Sequence, residues 1–293
     1  MQFTDLIAPA LDLWARNAEG GRSPLPGLTV LKKSEVSRFD SVVYNPVVCL
    51  VLKGGKETTI GSQSVRLQAG DVLVVSHDLP VQSRITSASP QDPYLALIIS
   101  LELGLVRSLH EQIGSLSGKS LPARSLSAGP AETPVLQAIA RYLELMNDPV
   151  EAAVLGPSIL REIHFRLLMS PTGGMLRTLL SVDSHASRVA KAILDIRSRF
   201  RQTLSVPELA QSAGMSLSSF HSHFKQVTGT TPLQYQKELR MIAARDLLRG
   251  GRHSVASASF EVGYESPTHF ARDYQRKFAK APSRENSTEP ALA

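Results

Sequence analysis

Ser205 to Gln226 reads SVPELAQSAGMSLSSFHSHFKQ, and Ser254 to Arg276 reads SVASASFEVGYESPTHFARDYQR. The second stretch repeats the first at an offset of 49 to 50 residues. Ser-Val opens each copy, and a glycine stands nine residues after the serine, at Gly214 and Gly263. A serine follows at Ser216 and Ser266, and then aromatics four apart, Phe220/Phe224 and Phe270/Tyr274. A short helix, a glycine-containing turn and a second helix form a helix-turn-helix layout. Two copies are too few to stack as a solenoid, so they read as a pair of units.

In the first copy Ser205-Val-Pro-Glu208 is a capping box with proline in the first turn. Leu209, Ala210 and Ala213 then face inward. Gly214 ends the helix where a left-handed backbone is needed, and Ser216 caps the next helix. With Phe220 and Phe224 packed inward, Ser218, His221, Ser222 and Lys225 follow i, i+3, i+4, i+7 spacing on the open face. In the second copy Ser266-Pro267 is a cap followed by proline at the first helical position. Phe270 and Tyr274 turn inward, leaving Thr268, His269, Arg272 and Arg276 outside. Arginine grips the O6/N7 edge of guanine with two hydrogen bonds, and Ser or Thr can serve several bases. These eight residues are the candidate DNA contacts. His221 and His223 point to different helix faces, which excludes them as a zinc pair. Between the copies, Thr231-Pro-Leu-Gln234 caps a long helix running to Leu248, with Leu233, Leu239, Ile242, Ala243, Leu247 and Leu248 as its apolar contacts. Such a helix could set the recognition helices about 34 Å apart, one turn of duplex.

Charge follows the repeat. Residues 185–293 hold 16 Lys/Arg against 9 Asp/Glu, a net of +7, while residues 1–184 hold 16 against 17, a net of −1. A basic segment of this kind is the footprint of a polyanionic partner. Cys49 is the only cysteine, which excludes an intrachain disulfide and suits a reducing, cytoplasmic setting. The N-terminus lacks a basic region followed by an apolar run, so no signal peptide is expected. The longest wholly apolar run, Val47–Leu52, is far short of the roughly 18 residues of a membrane span.

Upstream, residues 1–18 read as an amphipathic helix with Leu6, Leu13 and Trp14 on one side. Val47–Leu52, Thr58–Ile60, Ser64–Leu67, Val72–Val75 and Leu95–Leu101 are short β-rich runs. Turn signals at Gly54-Gly55, Gly61-Ser62, Ala69-Gly70-Asp71 and Asp78-Leu79-Pro80 separate them. This pattern predicts a small barrel or sandwich. Residues 113–134 read as a loop. Val135, Ile139, Tyr142, Leu143 and Met146 form a helical stripe, and Leu155, Ile159, Ile163, Phe165, Leu167 and Leu168 another. Open stripes of this kind mark a partner surface, a twofold homodimer being the commonest closed solution, unless both helices pack on the chain's own barrel.

From Val206 to Tyr274 the chain resembles the DNA-binding domain of the AraC/XylS family of transcription regulators. Leu239-Arg-Met-Ile-Ala-Ala-Arg-Asp-Leu-Leu248 matches the family's linking helix. Val255-Ala256, Val262-Gly263-Tyr264 and His269-Phe270-Ala-Arg272 match its most characteristic stretch. The family usually closes with Gly-x-Ser-Pro and then Tyr-Arg; here stand Ala279-Lys-Ala-Pro282 and Glu285-Asn286, so a short final helix is expected. Tyr44-Asn-Pro46, Cys49-Leu-Val-Leu-Lys-Gly54, Ala69-Gly-Asp71, Ser76-His-Asp-Leu-Pro80 and Pro93-Tyr-Leu-Ala-Leu97 resemble one branch of that family, whose N-terminal domain is cupin-like and is taken to sense a small effector. The resemblance further implies activation of transcription and contact with RNA polymerase.

The expected fold is α+β: a cupin-like β-barrel for effector sensing at 1–115, a helical linker and dimerisation region at 116–184, and an all-α DNA-binding domain with two helix-turn-helix motifs at 185–293. Tyr44, Cys49, His77 and Arg84 are the effector-pocket candidates. Cys49 fits either a small buried hydrophobe or a reactive thiol. One histidine in the strand region is too few ligands for a metal. No nucleophile–base pattern, phosphate loop or dinucleotide fingerprint is present, so neither catalysis nor a cofactor is expected. The expected partners are double-stranded DNA, an unknown small effector and a second copy of the chain. A cupin-type isomerase or oxygenase with an accessory basic domain, and an architectural DNA-binding protein without an effector, are the rival readings.

Overall fold

The computed structural model describes residues 2–18, 25–61, 63–114, 124–181 and 184–285. Strands β1 (Leu28–Lys33), β8 (Tyr94–Ser100), β3 (Val47–Lys53), β6 (Asp71–Val75) and β9 (Leu126–Pro130) lie in that order in one antiparallel sheet. Strands β2 (Asp40–Tyr44), β7 (Leu79–Ser87), β4 (Gly55–Ile60) and β5 (Gln63–Gln68) form a second. Among the described residues no strand pair joins the sheets, so the strands make a two-sheet sandwich and the closed barrel is corrected. Every turn from β1 to β8 except β4–β5 carries the chain across to the other sheet, and the edge strands β1 and β9 are not hydrogen-bonded to β2 or β5 among the described residues.

The five-stranded sheet is buried on both faces, and strand periodicity sorts its residues. Val48, Leu50 and Leu52 of β3 join a core with the helices α1 (Ile7–Ala18), α2 (Leu103–Ile113), α3 (Thr133–Glu144), α4 (Pro149–Met169) and α5 (Gly174–Leu180). Cys49 and Val51 face the other sheet. The segment expected to be a loop, 113–134, contains β9, whose Leu126–Pro130 pairs with Val75–Asp71; residues 115–123 of it, like Ser62 and Asn286, lie outside the described residues. The run Leu-Ser-Ala-Gly-Pro has little strand propensity of its own and takes its conformation from the free edge of β6. The stripes on α3 and α4 are also corrected. Val135, Ile139, Tyr142, Leu143, Ile163, Leu167 and Leu168 are all buried within the chain's own core. No helix among the described residues is long and apolar enough to cross a membrane.

The C-terminal helices are α6 (His185–Ser198), α7 (Val206–Ser212), α8 (Leu217–Thr228), α9 (Pro232–Arg249), α10 (Val255–Glu261) and α11 (Pro267–Phe278). Ser205, Ser216, Thr231, Ser254 and Ser266 each accept a hydrogen bond from the backbone amide three residues on, as capping requires. Phe220 and Phe224 are fully buried with centroids 5.6 Å apart, and Phe270 and Tyr274 repeat the arrangement at 5.5 Å. The first pair shares one core with the intersheet residues, whereas the second has a separate core with Met241, Ala244, Leu248, Ala258 and Val262. From α9, Arg240 donates to the carbonyls of Phe200 and Gln202, both at 2.7 Å, and of Gly263 at 2.9 Å, tying the two copies together.

A polar seam joins the halves. The Ser125 amide and hydroxyl both donate to the Val227 carbonyl at the end of α8, at 2.9 and 2.7 Å. The Ser125 hydroxyl therefore accepts from His77 Nε2 at 2.6 Å, while Nδ1 lies 2.9 Å from Ser76 Oγ. Burial pushes the His77 imidazole down to about 4. Tyr235 of α9 donates to the Asp78 carbonyl, and Arg245 pairs with Asp40 and donates to the Ser41 carbonyl.

Gly214 and Gly263 both have positive φ, 61° and 86°, but a Cβ at Gly214 meets nothing closer than 3.7 Å, while one at Gly263 lies 1.8 Å from the Arg201 carbonyl oxygen. Gly214→Ala should cost about 1–2 kcal/mol and Gly263→Ala more than about 3 kcal/mol, read from urea midpoints; equal losses would contradict the close approach. For His77, the unfolded chain takes up a proton near pH 6.5 and the folded chain only near 4. Stability should therefore be flat above pH 6.5 and fall by about 3 kcal/mol as pH drops from 6.5 towards 4. His77→Gln should flatten that limb of the pH–stability curve.

Candidate functional site

Capping fixes where α8 and α11 start, and the buried aromatics fix which way each helix faces. Ser218, His221, Ser222 and Lys225 are exposed on α8, and Thr268, His269, Arg272 and Arg276 are exposed on α11. Lys225 and Arg272 form no ion pair among the described residues. Arg276 pairs with Asp273 one turn back yet stays largely exposed. His223, on the flank of α8, stacks on His185 of α6 with centroids 4.2 Å apart. Both helices thus offer polar, hydrogen-bonding faces with cations at hand, which is what reading base edges demands.

The four pocket candidates do not share one site. Tyr44 and Cys49 face the space between the sheets. The Tyr44 hydroxyl donates to Ser83 Oγ at 2.9 Å, and Cys49 Sγ is buried 3.9 Å from the Tyr94 hydroxyl. His77 belongs instead to the seam with α8. Arg84 lies on the outer face of the four-stranded sheet, donating to Glu57 Oε2 through Nε at 2.8 Å and Nη2 at 2.6 Å, with its guanidinium 4.4 Å over the Phe39 ring. Those hydrogen bonds hold the Glu57 carboxyl below its ordinary pKa.

Lys56 and Thr58, absent from the sequence-derived candidates, stand with Tyr44 and Cys49. Residues two apart on a strand share a face, so once Glu57 is outward, Lys56 and Thr58 are inward. The Lys56 ammonium lies 4.7 Å over the Tyr44 ring. Burial works against the charged form of Lys56, while Tyr44, which also hydrogen-bonds to it, and Cys49 raise its pKa. Burial raises the Tyr94 phenol well above its ordinary value, which keeps it neutral. The sequence signal was the alternation Lys56-Glu57-Thr58; the register that orients it comes from pairing with β7. Among the described residues, no group of three or more His, Cys, Asp or Glu is placed to hold a metal ion.

A family model described as "AraC-type transcriptional regulator N-terminus" matches residues 24–175, and one described as "Helix-turn-helix domain" matches residues 209–286. Curated relatives include the HTH-type transcriptional activator RhaS of Escherichia coli O1:K1 / APEC, 29% identical over 149 residues, or 50% of this chain and 53% of the relative. The chain thus spans about half the length of the curated relatives it matches. Similar solved structures include ToxT of Vibrio cholerae O395 bound to (E)-4-(8-methylnaphthalen-1-yl)but-3-enoic acid, with TM-score 0.56 and 14% identity over 87% of this chain and 96% of that one. Unsaturated fatty acid bound wild-type ToxT from Vibrio cholerae strain SCE256 gives TM-score 0.55 and 12% identity over 87% and 92%. At these identities the likeness speaks to fold: antiparallel sheets at the N-terminus followed by helices. With the N-terminal model spanning more than half of its residues, the chain belongs to the AraC/XylS family of transcription regulators.

Proposed function

We propose that this chain is a cytosolic, effector-responsive regulator that binds duplex DNA through two helix-turn-helix motifs and activates transcription. Residues 185–293 would carry the DNA contacts, residues 1–115 a cupin-like effector domain, and residues 116–184 the linker and dimer surface. One observation carries this reading. Two copies of one capped helix pair each bury their aromatics and expose a polar stripe, joined by the single helix α9. The name of RhaS as an activator supports activation, the bound acids of the ToxT structures support a small effector, and family membership supports contact with RNA polymerase. The N-terminal family model describes a transcriptional regulator and the C-terminal one a helix-turn-helix domain, so the cupin-type enzyme finds no support.

Affinity for operator DNA should fall with salt, with a log–log slope of about −0.9 for each phosphate contact. An affinity unchanged between low and high salt would remove the nucleic-acid reading. Arg272→Ala should relax base preference at one operator position, at a cost of about 1–3 kcal/mol there. A panel of single-base operator variants tests this, and equal weakening of all of them would assign Arg272 to phosphate.

For the homodimer, the inward stripes are already used by the chain's own core, and the support moves to the outer side of α4. There Val150 is 71% and Val154 67% exposed, with Leu155 beside them. Sedimentation at micromolar concentration should show a dimer that Val154→Glu dissociates. A monomer with and without operator DNA would overturn the assembly.

A further inference from the structure

A cleft of about 1070 Å³ lies where the strand-bearing half meets the second repeat. The connection between β1 and β2, residues 34–39, forms one wall, and α9 with the end of α11 forms the other. Six cations line it, Lys33 and Arg38 from the first wall and Arg245, Arg249, Lys277 and Lys280 from the second, against three acids. Two of those acids are already committed. Asp40 receives Arg245 and Arg249, while Glu285 accepts from Arg249 Nε at 3.1 Å and the Tyr274 hydroxyl at 2.9 Å. The third, Glu35, is exposed. Lys33 and Arg38 form no ion pair among the described residues, and Lys280 reaches Glu285 only at 3.8 Å. A concave surface with such an excess of one sign concentrates its field on an incoming anion.

The first wall is held in shape. The Ser37 amide donates to the Ile85 carbonyl at 3.0 Å, and Ser37 Oγ accepts from the Ile85 amide at 2.9 Å. Arg38 and Phe39 therefore leave from a backbone pinned to β7. Beside the cations stand apolar side chains that water does not satisfy. Val36 is 60% and Phe39 45% exposed, and the Phe39 ring is backed by the Arg84 guanidinium. Phe278 lines the opposite wall. None of the eight candidate DNA contacts lines the cleft, so reading a duplex does not account for it.

We propose that this cleft binds a nucleoside di- or triphosphate, its phosphates held by Lys33, Arg38 and Lys280 and its base lying against Phe39. Phosphate oxygens accept charge-assisted hydrogen bonds from lysine and arginine. Cations on both walls suit a ligand with several charges along its length, whereas a single carboxylate would meet only one of them. A planar base offers a π-face to an aromatic ring. The cleft is of the size that small ligands fill. Because the cations come from both halves, a bound nucleotide would tie the second repeat to the strands, beside the ion pairs at Asp40. What binding does to the operator rests on the effector reading above; binding itself does not.

Calorimetry on the full chain with ATP, tripolyphosphate and adenosine separates the parts of the site. ATP should bind and raise Tm, tripolyphosphate should bind about tenfold more weakly, and adenosine should not bind. Lys33→Gln combined with Arg38→Gln should weaken ATP at least about tenfold, and Lys280→Gln should weaken it less. Phe39→Ala should weaken ATP and leave tripolyphosphate unchanged. Arg107→Gln removes an exposed cation on α2, outside the cleft, and should leave ATP binding as it was. Without ligand these variants should keep the parent's Tm. No binding of ATP at millimolar concentration, tripolyphosphate as tight as ATP, or equal losses from Arg107→Gln and the double variant would each overturn the site. Operator affinity lost in the double variant without nucleotide would assign Lys33 and Arg38 to the duplex and overturn it too. ATP that binds through Lys33 and Arg38 without altering operator affinity would leave the site standing and remove the effector reading from it. Operator affinity that answers to other compounds, with no nucleotide bound, would do the reverse.

Discussion

The Val227 carbonyl lies in the last turn of α8, where a helix leaves its carbonyls without donors of its own. Ser125 of the strand-bearing half supplies two donors to it, and His77 in turn holds the Ser125 hydroxyl. The end of a helix that presents Ser218, His221, Ser222 and Lys225 is therefore completed by residues from the other half. Neither side satisfies these atoms alone, and each buried group left unpaired costs about 1–3 kcal/mol. The first repeat also shares its apolar core with the intersheet residues, so a rearrangement between the sheets reaches α8 through packed side chains as well as through the seam.

The second repeat is held differently. Its aromatics form their own core with α9 and α10, and it meets the strands through Asp40, which receives Arg245 and Arg249. Glu285 secures the tail by accepting from the Tyr274 hydroxyl at 2.9 Å and Arg249 Nε at 3.1 Å. Ala279 ends α11 with φ of 52°, a left-handed position that the family resemblance would assign to glycine. The tail contacts through Glu285 offset that local strain, which is how the departure from the family's closing pattern is tolerated. One repeat is thus fixed to the sheets through a shared core, and the other through α9 and the ion pairs at Asp40.

What was legible in the sequence was local. Caps, turn glycines and aromatic pairs involve residues three to ten apart, and Ser205, Ser216, Gly214, Gly263, Phe220 and Phe270 stand as their spacing requires. Strand pairing links residues tens of positions apart, and there the sequence is mute. Leu79–Ser87 was hidden by Pro80, and β9 by its small residues. Arg84 and His77 were grouped with Tyr44 and Cys49 because alternation without register does not separate inside from outside. Ser125 lacked any local signal, since its role comes from Val227 across the fold. Even on α9, expected inward, Leu233 is 54% exposed, because Pro232, Tyr235, Gln236 and Leu239 occupy that turn's buried face.

The charge argument also changes once partners are known. The net +7 of residues 185–293 overstates what a duplex would meet. Arg197 pairs with Asp78 and Arg245 with Asp40, both acids from outside that segment, while Arg240 is spent on carbonyls. On the two candidate faces the cations are few: Lys225, Arg272 and a half-engaged Arg276. A surface so sparing of free charge gains little from phosphates alone. On the proposed reading its selectivity must come from close contact, and the side chains suit that. Ser218, Ser222 and Thr268 are short, so they reach a base edge only when the helix itself lies deep in the major groove. Ser218 and Thr268 stand in the capped first turns of α8 and α11, the ends that such docking brings closest to the bases.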